Sequence, residues 1–157
     1  MAFAPGAPPT VGRDLALATD ARRVPVVDHL GPSRAICVRE NDRALGRVAV
    51  RLPEFASDAV RCEAVCESDQ PGGELSYWLV PEARGRGLAY AAVQMMISTV
   101  LVNAGLRSVV LDIEADNVPS TRLAERLGAE RRSPARVKRD RSGTARTLVV
   151  YVVPLAG

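Results

Sequence analysis

The sequence predicts an α/β fold built on a mixed sheet, and three observations predict it. An apolar strand at Leu75–Val80, an uncharged helical stretch from Gly87 to Leu106 and a second apolar strand at Ser108–Glu114 follow one another. That order joins two parallel strands through a right-handed crossover. Upstream, Ala35–Val38 and Ala44–Leu52 flank the polar turn Glu40–Arg43, the pattern of an antiparallel hairpin. Downstream, Thr147–Val153 is a β-branched run that finishes the sheet.

At 157 residues, 47% hydrophobic and 25% charged, the chain has room for one core and the composition of an ordinary globular protein. Residues 1–12, with Pro5, Pro8 and Pro9, read as a flexible tail and residues 13–157 as one domain. Net charge is +3, and of 21 basic residues only Lys138 is a lysine. That bias reads first as genomic and second as anion binding. Cys37, Cys62 and Cys66 lack the spacing of a zinc site and His29 is the single histidine, so no metal is expected and the thiols fit a reducing compartment. No basic stretch followed by a long apolar one opens the chain, which points to the cytoplasm. The twenty uncharged residues from Gly87 to Leu106 are long enough for a membrane span. Tyr90, Gln94, Ser98 and Asn103 nevertheless put a polar stripe on one face, and a buried amphipathic helix explains the segment better.

Taken in order, Leu15–Ala18 suits a first strand, and Asp20 caps a helix running toward Leu30 that Gly31 and Pro32 stop. The hairpin follows. Val60, Cys62, Ala64 and Cys66 alternate with Arg61, Glu63 and Val65 as a further strand would, before the turn Asp69–Gly73. In the strand Leu75–Val80, Glu74, Ser76 and Trp78 share one side and Leu75, Tyr77 and Leu79 the other. Val109, Leu111 and Ile113 form the apolar side of the next strand, opposite Asp112 and Glu114. Asp116 and Asn117 are both suitable caps and Pro119 suits the first turn of a helix whose apolar face is Leu123, Ala124 and Leu127, with Gly128 as its stop. A short strand is expected at Ala129–Arg132. Arg136, Lys138, Arg139 and Arg141 then crowd a loop before the last strand. Without interleaved aromatics that charge run reads as a solvated face rather than a nucleic-acid patch, with an arginine-rich RNA-binding protein as the competing reading.

The stretch that carries chemistry is Trp78–Ala89, where a strand ends in a glycine-rich turn with two arginines, Arg84 and Arg86, and a helix starts after Gly87. Glycines let backbone approach a ligand, and the unbonded N–H groups of a helix start favour an anion. Two nucleotide motifs fail here. The dinucleotide fingerprint needs Gly or Ala where Tyr90 stands, and no lysine follows the glycines as a Walker loop requires.

The string GELSYWLVPEARGRGLAYA, followed by DNVPSTRLAERLGA, resembles the acetyl-CoA-binding core of the GNAT N-acetyltransferases. The likeness is closest to the branch that acetylates protein amino termini and small amines. Arg84, Gly87 and Ala89 fit the family's first signature, and Asn117, Ser120, Leu127 and Gly128 fit its second. The resemblance covers Glu74–Ala129, and Tyr151 weakly. It implies a GNAT-like fold: a central mixed sheet with splayed parallel strands and helices on both faces, the pantetheine arm of acetyl-CoA lying in the split.

The resemblance also implies roles. Leu79 and Val80 would bond that arm through their backbone. Gly85, Arg86, Gly87, Leu88 and Ala89, with Arg84, would hold the pyrophosphate. Asn117 would bond the pantetheine end, and Ser120 would lie near the thioester sulfur as proton donor. Either Asp112 or Glu74 would take the amine's proton, and the N–H of Leu79 could serve the oxyanion. Ala124 stands where many members carry a tyrosine acid, Ala129 where an aromatic usually follows the Leu-Gly pair, and the region before the hairpin is short. The expected activity is acetyl transfer from acetyl-CoA to a primary amine without a metal, by a monomer or homodimer that engages neither membrane nor nucleic acid. A catalytically inactive acyl-CoA-binding regulatory module is the alternative.

Overall fold

The computed structural model describes residues 15–18, 31–38, 43–55, 72–99, 101, 104–132 and 134–155. The expected tail, the helix beginning at Asp20, the strand at Val60–Cys66, and His29 and Asn103 lie outside the described residues. Eight strands and two α-helices are present among the described ones, giving the mixed α/β architecture predicted. They fall into two compact units, one drawn from residues 1–50 and 76–104 and the other from 51–75 and 105–157.

In the first unit β1 (Leu15–Ala18) pairs antiparallel with β2 (Ser33–Val38), and β2 with β3 (Ala44–Arg51), which is the expected hairpin. Strand β4 (Gly72–Leu79) delivers its second half, Ser76–Leu79, to this unit. Its faces divide as the alternation predicts: Leu79 is buried and Tyr77 half-buried, while Ser76 and Trp78 are exposed. A single 3₁₀ turn, Pro81–Ala83, leads to the glycine turn and to α1 (Leu88–Thr99). Helix α1 buries Leu88, Ala91, Ala92, Val93 and Met96, each large side chain contributing about 1.5–3 kcal/mol by leaving water. Its opposite face carries Tyr90, Gln94 and Ser98, and Gln94 Nε2 donates to Tyr90 Oη at 2.7 Å. The polar stripe is therefore real, and no helix among the described residues is long and apolar enough to cross a membrane.

The second unit holds the start of β4, β5 (Ser108–Glu114), α2 (Val118–Arg126), β6 (Glu130–Arg131), β7 (Arg136–Arg139) and β8 (Ala145–Pro154). Strands β4 and β5 run parallel, and their register covers Gly72–Glu74 against Ser108–Val110. This is the parallel pairing that the strand–helix–strand order predicts. Strand β5 pairs antiparallel with β8 along its whole length, from Ser108↔Pro154 to Glu114↔Leu148. Val110 and Val150 centre the core there, with Val152 packed against them.

One expectation is corrected. Arg136, Lys138 and Arg139 do not crowd a loop; they form β7, an antiparallel partner of β8 with Arg136↔Leu148 and Arg139↔Ala145. Four residues with three charges and one apolar side chain, Val137, carry no hydrophobic alternation for a reader to find. The strand exists because the turn after it closes the hairpin. Asp140 Oδ1 accepts from Ser142 N at 2.9 Å, Ser142 Oγ at 2.5 Å and Thr144 N at 3.0 Å, and Gly143 sits at φ +83°. Chiefly the Ser142 hydroxyl lowers the Asp140 pKa from 3.8 to about 2.

Because that folded value lies below the unfolded one, the turn's stabilisation is complete above about pH 4 and is lost as pH falls toward 2. An NMR titration should find the Asp140 carboxyl near 2, and Ser142→Ala should move it upward. A value left in place by Ser142→Ala would remove the hydroxyl as the cause.

Candidate functional site

The turn after β4 is built as an anion cradle. Gly85 and Gly87 have φ of +73° and +74°, a left-handed backbone that side chains with a Cβ resist. A Cβ at either position would meet nothing within 4 Å, so backbone conformation and not crowding is what requires glycine there. The Gly87 carbonyl accepts from Ala91 N at 3.1 Å and begins the helical ladder. A helix start of this kind presents its first amides to an anion. Leu88, 1% exposed, pins this helix start into the core.

Arg84 braces the turn: its Nε donates to the Leu79 carbonyl at 3.0 Å, while its N–H bonds the Pro81 carbonyl at 3.2 Å. Val80 is engaged on both sides, its N–H donating to Leu45 O at 2.7 Å and its carbonyl accepting from Ala83 N at 2.9 Å. Of the residues expected to hold the donor, the first unit thus brings together Leu79, Val80, Arg84, Gly85, Arg86, Gly87, Leu88 and Ala89. Every one from Arg84 to Gly87 is exposed.

Asn117 and Ser120 meet in the second unit. Asn117 is the N-cap of α2: its Oδ1 accepts from Ser120 N at 3.2 Å, and its carbonyl accepts from Thr121 N at 3.0 Å. A capping asparagine fixes the first turn of the helix, and Ser120 in that turn is half-buried.

The two carboxylates proposed as bases differ in surroundings. Glu74 lies on β4 opposite Val110 and is half-buried. Asp112 is not a solvated strand residue: its Oδ2 accepts from Arg136 Nη2 at 2.8 Å, with the two side chains 14% and 24% exposed. Their strands explain the meeting. Asp112 is opposite Val150 and Arg136 opposite Leu148, two residues apart on β8, so both point to the same face and bridge across that strand. Asp112 Oδ1 and Arg136 Nη1 are buried without a hydrogen-bond partner among the described residues.

Arg146 makes a parallel bridge, donating to Glu114 Oε1 at 2.6 Å and to Asp140 Oδ2 at 3.2 Å. Glu114 first, then Asp140, raises the Arg146 pKa. Arg132 pairs with Glu130 at 2.9 Å. Of the charge run only Arg136 is paired with an acid in these bonds, while Lys138, Arg139 and Arg141 are exposed, which accords with a solvated face.

Sequence reasoning passed over two residues. Arg136 had no visible partner, because Asp112 is 24 positions away. Gly46 stood inside a strand, and an isolated strand glycine is a signal of close backbone approach. No group of three or more His, Cys, Asp or Glu able to hold a metal gathers among the described residues.

Comparison with known proteins adds a family. A model described as "Acetyltransferase (GNAT) domain" matches residues 15–130. Among solved structures, the chain is similar to a ribosomal-protein-S5-alanine acetyltransferase from Vibrio fischeri, with TM-score 0.62 and 15% identity over 81% of this chain and 63% of that one. It is similar to the microcin C7 self-immunity acetyltransferase MccE in complex with acetyl-CoA and AMP, with TM-score 0.60 and 16% identity over 81% and 62% of the two chains. An acetyltransferase (GNAT family) from Bacillus anthracis gives TM-score 0.60 and 13% identity over 78% and 65%. The chain thus spans less than two thirds of the length of each of these three structures. No curated protein matches.

Proposed function

Because the chain belongs to the GNAT acetyltransferases, we propose that it transfers the acetyl group of acetyl-CoA to a primary amine, either a protein amino terminus or a small amine. The observation that carries the reading is the cradle. Two left-handed glycines, an arginine-braced turn and a helix start stand at the end of β4, a donor set suited to a pyrophosphate. Acetyl-CoA bound in the MccE complex supports the same donor here.

In this reading the amine nitrogen bonds to the thioester carbonyl carbon and the carbon–sulfur bond breaks. Glu74 takes the proton released by the amine, directly or through water. Asp112, paired with Arg136, is the other candidate for this step. Ser120 gives its hydroxyl proton to the departing thiolate and regains one through water from the carboxyl group that took the amine's proton, and Asn117 holds the helix turn from which Ser120 acts. By the family resemblance, Asn117 would bond the pantetheine end and the Leu79 N–H would serve the oxyanion.

Two measurements test the proposal. Isothermal titration with acetyl-CoA should show micromolar binding, and a thiol-release assay across an amine panel should show turnover. Ser120→Ala should lower kcat on the order of 100-fold with acetyl-CoA affinity retained. Absent binding at high micromolar acetyl-CoA sinks the donor; turnover unchanged in Ser120→Ala removes that residue from the chemistry.

A further inference from the structure

We infer that Gly46 is a positioning residue for the cradle: its missing side chain, with a bulge at Leu45, seats the last residues of β4 where the Arg84–Ala89 turn departs. The inference rests on the reading of that turn as the acetyl-CoA grip.

The seat is built from β3. In the β2–β3 register Ile36 faces Gly46 but the next residue, Cys37, faces Ala44. Leu45 is therefore an extra residue without a partner in β2, and a bulge of this kind bends its strand and re-aims the groups around it. The bulge is locked in place because the Leu45 side chain is fully buried. Its carbonyl is turned to β4, where it accepts from Val80 N at 2.7 Å.

Gly46 then allows the close approach. A Cβ placed there would fall on the Trp78 carbonyl oxygen, with Leu79 Cα at 2.9 Å and the Trp78 carbonyl carbon at 3.0 Å. All three atoms are backbone, so none can swing aside as the end of a flexible side chain would. Any side chain at 46 must push Trp78–Leu79 away from β3.

That displacement reaches the cradle through two bonds. Val80 N would leave Leu45 O, and the Leu79 carbonyl would leave the Arg84 Nε that it accepts from at 3.0 Å. Arg84 is the first residue of the grip, and both glycines follow within three positions. Gly46 contacts no reacting atom in this account; it acts through the Trp78–Val80 backbone. A glycine needed only for strand packing would lower stability when replaced and leave ligand affinity alone, and that difference is measurable.

The experiment compares Gly46→Ala with Val48→Ala, a cavity-forming change at another fully buried position of the same strand. Both should unfold at lower temperature than the wild type. Only Gly46→Ala should weaken acetyl-CoA binding at least tenfold by calorimetry below both melting points, and only it should speed hydrogen exchange of the Val80 amide. Val48→Ala should bind within twofold of wild type. Gly46→Ala binding within twofold of wild type, or Val48→Ala losing as much affinity, overturns the inference.

Should Gly46→Ala fail to fold, the wild-type protein decides. Saturating acetyl-CoA should shift the Gly46 amide resonance and slow Val80 exchange, and signals unchanged at saturation overturn it equally. If the wild type binds no acetyl-CoA, the grip reading fails by itself, while Val80 exchange in Gly46→Ala still reports on the seat.

Discussion

Gly87→Val is expected to weaken acetyl-CoA binding at least tenfold and to lower stability by roughly 1–2 kcal/mol. Gly87 sits at φ +74° in an exposed turn, and a β-branched residue in the left-handed region costs roughly 1–2 kcal/mol. Since a Cβ there meets nothing within 4 Å, the strain is relieved by backbone rotation and not by repacking the core. Rotation at this position re-aims the N–H groups of Leu88 and Ala89, because the Gly87 carbonyl is the first acceptor of the helical ladder. Tenfold corresponds to about 1.4 kcal/mol, the scale of one charge-assisted bond lost or misdirected.

Gly143→Val is the matched control. Gly143 has φ +83° and equally open surroundings, but it lies in the β7–β8 turn. It should show a similar fall in melting temperature with acetyl-CoA affinity unchanged. Equal affinity of Gly87→Val and wild type, measured by calorimetry, would show that the turn does not hold the donor.

What the sequence made legible follows from how local each feature is. The cradle was readable because a strand, two glycines and a helix start are contiguous, and the backbone at Gly85 and Gly87 takes the left-handed form that such glycines are placed to supply. The helix at Val118–Arg126 was equally readable, since Asn117 caps it through a bond to Ser120, only three residues on. Features made by residues far apart were not. β7 owes its existence to the Asp140 turn and to pairing with β8, and its own four residues suggested a loop. The Asp112–Arg136 bridge depends on register across an intervening strand, which spacing in the sequence does not encode. The bulge at Leu45 belongs to the same class, though Gly46 left a trace of it in the sequence.

Asp112→Ala is expected to destabilise the folded chain by about 2 kcal/mol, and the reason separates structure from catalysis. Removing one partner of a largely buried pair leaves the other charge uncompensated, a loss on the order of 3–5 kcal/mol when both are fully buried. Here Arg136 keeps 24% exposure, and its long stem lets the guanidinium turn partly to water, which reduces the cost. The face around the pair is apolar at Val110 and Val150, so replacing both partners should recover most of the loss. Asp112→Val with Arg136→Met is accordingly expected within about 1 kcal/mol of wild type.

Urea denaturation of Asp112→Val, Arg136→Met and the double variant reads the coupling energy directly. Additive losses would show that the pair contributes nothing. The same double variant tests chemistry, because it lacks the Asp112 carboxylate without carrying an unpaired charge. With Glu74 as base, its kcat should stay close to the wild type in the thiol-release assay. A fall in kcat on the order of 100-fold in the double variant would transfer the role of base from Glu74 to Asp112.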